Sequence, residues 1–347
     1  MKPVLRAIAI GTAAAVVAPC ARAQHLFRSD TALTVTITTE LGPLLKQRDS
    51  LELVKHPAVL SYAGADGKAV NVPVKLRARG HFRRQARNCD FPPLWLDVKS
   101  SDAKQTVLSG LTRLKIATPC RPKSAEYEQY ILQEYTVYRA YAALTDASFR
   151  TRLLRITYRD TAGKIAPITT SGFFLEDVGD LADQLQLNVL KAQGAKFEDL
   201  EPDPLSLLSM FEYFIGNTDW SIAAQHNIAL LHDSTARTIP VAYDFDWTGA
   251  VDPRYAFPDK SLPIHSVTER LYRGNCPTPE QLKVTLGRFR SKHAAIDTIF
   301  TKVPQLAQLV PDRAKRMKGF FDDFWKRLDD PRGLQKEIAE DCQKIGN

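Results

Sequence analysis

Three acids, two amides and a Gly-Asn turn crowd into two short stretches, "FIGNTDWSIAAQHNIALL" at 214–231 and "PVAYDFDWTGA" at 240–250. A buried core does not need Asp219, Asn227, Asp244 and Asp246 so close together in sequence. Hard oxygen donors of this kind suit Mg²⁺ or Mn²⁺ carrying the phosphates of a substrate. The local pattern supplies a way to gather them. A helix stops at Gly216, a polar loop carries Asp219, a strand begins at Asn227, and a hairpin returns to Asp244-Phe245-Asp246. Asn227 and Asp244 then share one mouth of the hairpin. Each motif alone has a plainer reading: Gly-Asn ends a helix, and Asp-Phe-Asp is ordinary turn chemistry. Their order, with a hairpin of suitable length between them, favours the functional reading.

The elements that must position these residues are legible upstream. Residues 32–40, "ALTVTITTE", alternate as a strand, and "AVLSYAGADGKAVNVPVKLRARG" gives two strands around a Gly-Ala-Asp-Gly turn. "PLWLDV" and "LTRLKIAT" supply two more, so the first part reads as a largely antiparallel sheet. The clearest helix covers 126–144, with Ile131, Tyr135, Tyr138 and Ala142 at three-to-four spacing and Ser124 as its cap. "LLRITYRD" and "SGFFLEDVGDL" read as strands, the second ending on Glu176 and Asp177. "LSLLSMFEYFIG" is a buried helix, and from about Thr278 the chain is amphipathic helix. A sheet-rich half with one helix, followed by a helical half, describes a two-lobed α+β protein.

The order loop Asp, Asn, Asp-Phe-Asp matches a phosphoryl-transfer template. On "IGNTDW", "HNIALL" and "YDFDWTG" the chain resembles the spore-coat CotH kinase family and, more distantly, the HipA-type kinases. "LRARGHF" and "FPPLWLDV" are similar to the family's Arg-x-Arg-Gly and the Pro-containing strand after it. The resemblance covers most of the chain and implies a protein-kinase-like fold. Its sheet-rich nucleotide-binding lobe would span 24–177, and its mainly helical catalytic lobe 178–347. It makes Asp219 the catalytic acid, Asn227 a metal ligand and Asp244 the principal metal ligand, with Asp246 as a second. Asp219 and Asn227 are further apart than in the ordinary kinase loop, so Gln225 competes for the amide role; Asn227 is preferred.

Lys115, in "RLKIAT", is the candidate phosphate-binding lysine, paired with Glu134 on the long helix, although Glu128 would serve as well and a strand lysine is commonly a surface residue. No G-x-G-x-x-G exists. In its place "RARGHFRRQAR" sets Arg77, Arg79, Arg83 and Arg84 around Gly80, where guanidinium forks can hold phosphate bidentately or simply form an exposed basic hairpin. "FFLED" at 173–177 is similar to the strand joining two kinase lobes, or is a solvated turn. The histidines 81, 226 and 265 show no ligand spacing and read as structural.

Composition sets the frame. The chain has 347 residues, 44% hydrophobic and 25% charged, an ordinary globular balance. Residues 1–23, "MKPVLRAIAIGTAAAVVAPCARA", read as an export signal ending in Ala-Arg-Ala. Its three positive charges leave 8 − 3 = +5 on the processed chain, without the Lys/Arg runs that nucleic-acid binding would need. No stretch is long enough for a stable membrane span. Processing leaves Cys89, Cys120, Cys276 and Cys342, with no C-x-x-C pair for zinc. An even count in an exported chain favours disulfides. Cys89 with Cys120 is preferred because both flank the sheet, while Cys276 and Cys342 form a second bridge or stay free.

The expectation is an exported phosphotransferase, periplasmic or extracellular, using ATP and Mg²⁺ or Mn²⁺ on a protein or small-molecule acceptor. Two rivals stand beside it: a pseudokinase-like binding module without turnover, and a metal-dependent phosphoester hydrolase.

Overall fold

The computed structural model describes residues 25–50, 54–191, 193–299 and 309–344. The expected export signal lies outside them. Seven strands close into a barrel: β1 (Leu33–Thr39), β2 (His56–Ala63), β3 (Ala69–Ala78), β4 (Leu94–Val98), β5 (Arg113–Ala117), β6 (Thr151–Asp160) and β7 (Ile168–Glu176). Their order around the barrel is β1-β2-β3-β4-β5-β7-β6. Every neighbouring pair is antiparallel except β1 and β6, which run parallel with Leu33 opposite Leu154 and Thr39 opposite Asp160.

Eight α-helices occur among the described residues: α1 (Leu41–Lys46), α2 (Ser100–Ala103), α3 (Ala125–Leu144), α4 (Val178–Leu185), α5 (Pro202–Ile215), α6 (Pro279–Asp297), α7 (Pro311–Asp329) and α8 (Pro331–Lys344). A second sheet of three strands, β8 (Asn188–Leu190), β9 (Ile228–His232) and β10 (Thr238–Ala242), has the order β10-β9-β8.

This architecture corrects the sequence-based expectation of an open antiparallel sheet set on a mainly helical, kinase-like lobe. The sheet is closed, and the second half carries a sheet of its own. The physical reason is that β1 and β6 pair across the whole first half of the chain, a contact to which local alternation is blind.

Two cores follow from the alternation of side chains along each strand. Inward residues such as Ile37, Leu60, Leu76, Leu96, Ile116 and Phe174 fill the barrel. The outward faces of β6 and β7 meet α3, whose Tyr135, Tyr138 and Tyr141 join α5 and the C-terminal helices in a second core. Strand β7 is therefore covered on both sides, which explains why eight of its nine residues are buried although three of those eight are Thr, Ser or Glu. Gly172 in β7 is required there: a Cβ would lie 2.6 Å from Ile156 Cδ1 and 2.7 Å from the Ala117 carbonyl oxygen.

Ser124 occupies the N-cap of α3 without a side-chain bond to it. Glu176 is fully buried and accepts hydrogen bonds from the Arg150 backbone and guanidinium, while Asp177 caps α4 through the Gly179 amide. Neither forms a solvated turn. Both cysteine pairs are bridged, Cys89–Cys120 as expected and Cys276–Cys342 as the second. No helix among the described residues is long and apolar enough to cross a membrane.

Candidate functional site

The outer wall of the barrel and the loops that precede β9 and follow β10 line a cleft of about 710 Å³. Arg79, Arg83, Trp95 and Lys115 line it from the barrel side, and Asp219, His226, Asn227, Asp244 and Asp246 from the other. Arg77 does not line it, although it stands opposite Trp95, itself opposite Lys115, in one cross-strand row.

The two acid-bearing loops are joined by backbone. Helix α5 ends at Gly216, which adopts φ +65°. Its carbonyl accepts from the Gly249 amide at 3.1 Å, and the Ile215 carbonyl accepts from Ala250. Gly249 permits this approach, since a Cβ there would lie 2.4 Å from the Val267 carbonyl oxygen. Asp219 and Asn227 meet because Ser221 and His226 exchange backbone hydrogen bonds at 3.0 Å, folding the intervening residues into a small hairpin. That hairpin absorbs the long spacing between them. Asn227 Nδ2 donates to the Asp219 carbonyl oxygen at 2.7 Å and to its Oδ2 at 3.2 Å. Asp244 is fixed from α3, its backbone N–H donating to the Tyr138 hydroxyl at 2.8 Å, while buried Phe245 packs against the Tyr138 ring. Gln225, Asn227 and Asp244 all have positive φ; backbone held in that sparsely populated region clusters at functional sites.

Arg83 has a different role from the one its sequence context suggests. It is buried, and its guanidinium bridges Asp244 Oδ1 at 3.1 Å, Asp246 Oδ2 at 3.3 Å and Glu134 Oε2 at 3.8 Å. Glu134 therefore pairs with Arg83, and no contact among the described residues joins it to Lys115, which corrects the expected Lys115–Glu134 pair. Glu128 instead accepts from Ser171 and Arg155. Burial pushes Glu134 up to about 8 despite Arg83, and Asp246 up to about 6. Burial would also lift Asp244, but Arg83, Arg79 and Lys115 together hold it below the usual carboxylate range.

No carboxylate among the described residues forms an ion pair with Lys115. Its ammonium lies over Tyr243 at 4.4 Å, Phe149 at 5.2 Å and Trp95 at 5.5 Å. Burial brings its pKa down to about 7, with the charge of Arg79 adding to the effect. His226, structural by its sequence context, instead lines the cleft, and its Nε2 lies 3.0 Å from Asp219 Oδ1. That hydrogen bond, before any other cause, raises its pKa. No ligand-type spacing in the sequence marks it; only the hairpin brings it to Asp219.

Beneath the Asp219 loop, Glu212 of α5 is buried, and neither carboxylate oxygen has a hydrogen-bond partner among the described residues. Burial, with the charge of Asp219 adding, pushes it up to about 8; the Asn217 side chain lies near enough to offset part of this without meeting hydrogen-bond geometry. Because the folded pKa exceeds the ordinary 4.5, this group favours folding most at low pH. That contribution declines as pH rises from about 4.5 to about 8. Its full span is roughly 3–5 kcal/mol. Glu212→Gln should flatten stability over that range and leave the protein more stable than the parent at pH 9; denaturant melts at pH 5, 7 and 9 check it. An unchanged pH slope would show that Glu212 ionises normally.

Among the described residues no group of three or more His, Cys, Asp or Glu side chains is placed to hold a metal ion. The smaller donor set fits a hard cation that keeps its waters and substrate oxygens. Asn227 Nδ2 is occupied by Asp219, which leaves Oδ1 without a partner among the described residues, and the Asp244 side chain stays 30% exposed in the cleft. No protein-family model, curated protein or solved structure matches the chain.

Proposed function

We propose that the cleft is a phosphoryl-transfer site that takes a nucleoside triphosphate, ATP in the leading case, with Mg²⁺ or Mn²⁺ and a hydroxyl acceptor from a protein or small molecule. One observation carries the reading: a cationic wall of Arg79 and Lys115 faces Asp219, Asn227 and Asp244 across a single cleft. The three motifs that resemble the CotH-type family all contribute to it, so the proposal rests on the site and not on a kinase-like fold. Asn227 Oδ1 and the Asp244 carboxylate would hold the metal, which supplies charge neutralisation to the phosphate oxygens when bound. Lys115 and Arg79 hold phosphate oxygens from the opposite wall, and the rings of Trp95, Phe149 and Tyr243 exclude water around the ammonium. Asp219, steadied by Asn227 and His226, orients the acceptor hydroxyl.

The test uses the protonation of Lys115. With its pKa near 7, the ammonium is lost as pH rises through neutrality, so affinity for ATP-Mg²⁺ should fall between pH 6 and 8. At pH 8 binding should draw a proton from the buffer, visible by calorimetry in buffers of different ionisation heat. Lys115→Met should bind weakly and without that pH dependence. If the parent binds no nucleotide with either metal at pH 6, the reading fails.

A second reading is favoured by Arg83. Its guanidinium already lies between Asp244 and Asp246, as a cation would, which suits a binding module that recognises its ligand without turnover. ATP binding with no transfer to any acceptor or to water would decide for it.

A further inference from the structure

The segment 267–276 crosses directly beneath the Asp219 loop. Arg270 donates to the Phe214 carbonyl at the end of α5 at 3.1 Å, to the Phe320 carbonyl, and to Asp323 at 2.7 Å. Arg273 Nη1 donates to the Thr218 carbonyl and, at 3.3 Å, to the Trp220 carbonyl. These are the residues on either side of Asp219, so one guanidinium grips the backbone across the acid. Other polar support from beneath is missing among the described residues, where the Glu212 carboxylate, Asn217 Nδ2 and Trp220 Nε1 are buried without hydrogen-bond partners.

Arg273 is itself tethered. The Tyr272 amide donates to Asp341 Oδ2 at 3.1 Å, and its hydroxyl donates to the Asn275 carbonyl at 2.9 Å. Gly274 lies so close to α5 that a Cβ would meet Ser209 Cβ at 2.2 Å. The next step along the chain is the Cys276–Cys342 disulfide, which ties the segment to α8.

We propose that Arg273 is a positioning residue for Asp219, and that the Cys276–Cys342 crosslink keeps Arg273 seated under the loop. The proposal rests on Asp219 being the working acid of the cleft. A covalent tie three residues from the guanidinium limits how far it can withdraw. In its absence the segment holds α8 only through hydrogen bonds and packing, and two backbone carbonyls beside Asp219 lose their fixed donor.

Hydrogen exchange tests this without any assay of transfer. The amides of Asp219, Ser221 and His226 each donate a hydrogen bond within the loop, so they report its order. In Arg273→Gln, and in the double variant Cys276→Ser/Cys342→Ser, exchange over 217–227 should quicken at least tenfold. Exchange in β1 to β5, which fill the separate barrel core, should stay as in the parent. Arg273→Lys should recover part of the protection, because an ammonium can still donate to one carbonyl. Unchanged protection over 217–227, or an equal rise in the barrel, would overturn the proposal. ATP-Mg²⁺ binding measured on the same samples keeps the two ideas apart: absence of binding in the parent counts against the phosphoryl-transfer reading, while the exchange pattern alone decides on the clamp.

Discussion

Asp244→Ala should weaken metal-dependent nucleotide binding severely, whereas Asp219→Asn should bind ATP-Mg²⁺ nearly as well as the parent and lose mainly the chemical step. Asp244 stands beside Asn227 at the mouth of the β9–β10 hairpin and keeps an exposed carboxylate in the cleft. A metal held there acts on the ground state, so removing its ligand weakens binding on the order of 100-fold. Asp219 acts on the acceptor, and an amide in its place retains the shape and the contact to Asn227. Turnover should then drop by roughly 10²–10⁴-fold with binding within a few-fold of the parent. Calorimetry beside a phosphoryl-transfer or ATP-hydrolysis assay checks both. If both variants bind ATP-Mg²⁺ like the parent, the metal is not where this reading puts it.

Arg83→Met should be the most destabilising single change in the cleft. It removes the guanidinium that bridges Glu134, Asp244 and Asp246 and leaves three acids around an apolar side chain. Breaking a buried ionic group from one side costs about 3–5 kcal/mol. Mg²⁺ or Mn²⁺ at millimolar concentration should restore part of the lost melting temperature, since a cation that binds only the folded state stabilises it by mass action. The double variant Arg83→Met/Asp244→Asn should gain nothing from metal. A melting temperature equal to that of the parent would mean that the three carboxyls are neutral and need no counter-ion.

Local pattern exposed much of this in the sequence. The strands around "AVLSYAGADGKAVNVPVKLRARG" and the helix over 126–144 announce themselves through periodicity and turn residues. The acids 219, 244 and 246 and Asn227 stand out because polar groups interrupt apolar runs at hairpin spacing. What stayed hidden is long-range. Parallel pairing of β1 with β6 has no local signature, so the barrel looked like an open sheet. Arg83 sits in a basic stretch that reads equally as a phosphate cradle or a surface hairpin; only folding shows it turned inward on the acids. Glu134 is one of several acids on α3, and nothing in its neighbours names Arg83 as its partner. His226 carries no motif, and its approach to Asp219 depends on the Ser221–His226 bridge.

The parallel seam between β1 and β6 also bears on how the chain reaches its native state. Hairpins β2–β3 and β3–β4 can zip locally, but the ring is complete only when the segment through Asp160 meets the one starting at Leu33. Bringing such distant partners together carries a loop-closure entropy that short-range contacts do not offset, and topologies dominated by distant pairings fold slowly. Until the seam forms, β1 and β6 both present unpaired edges to any neighbouring chain. The Cys89–Cys120 bridge lies wholly within the stretch that the seam spans. It can therefore be oxidised before the ring shuts, shortening the remaining search by fixing the loop that carries Arg83 against the start of α3.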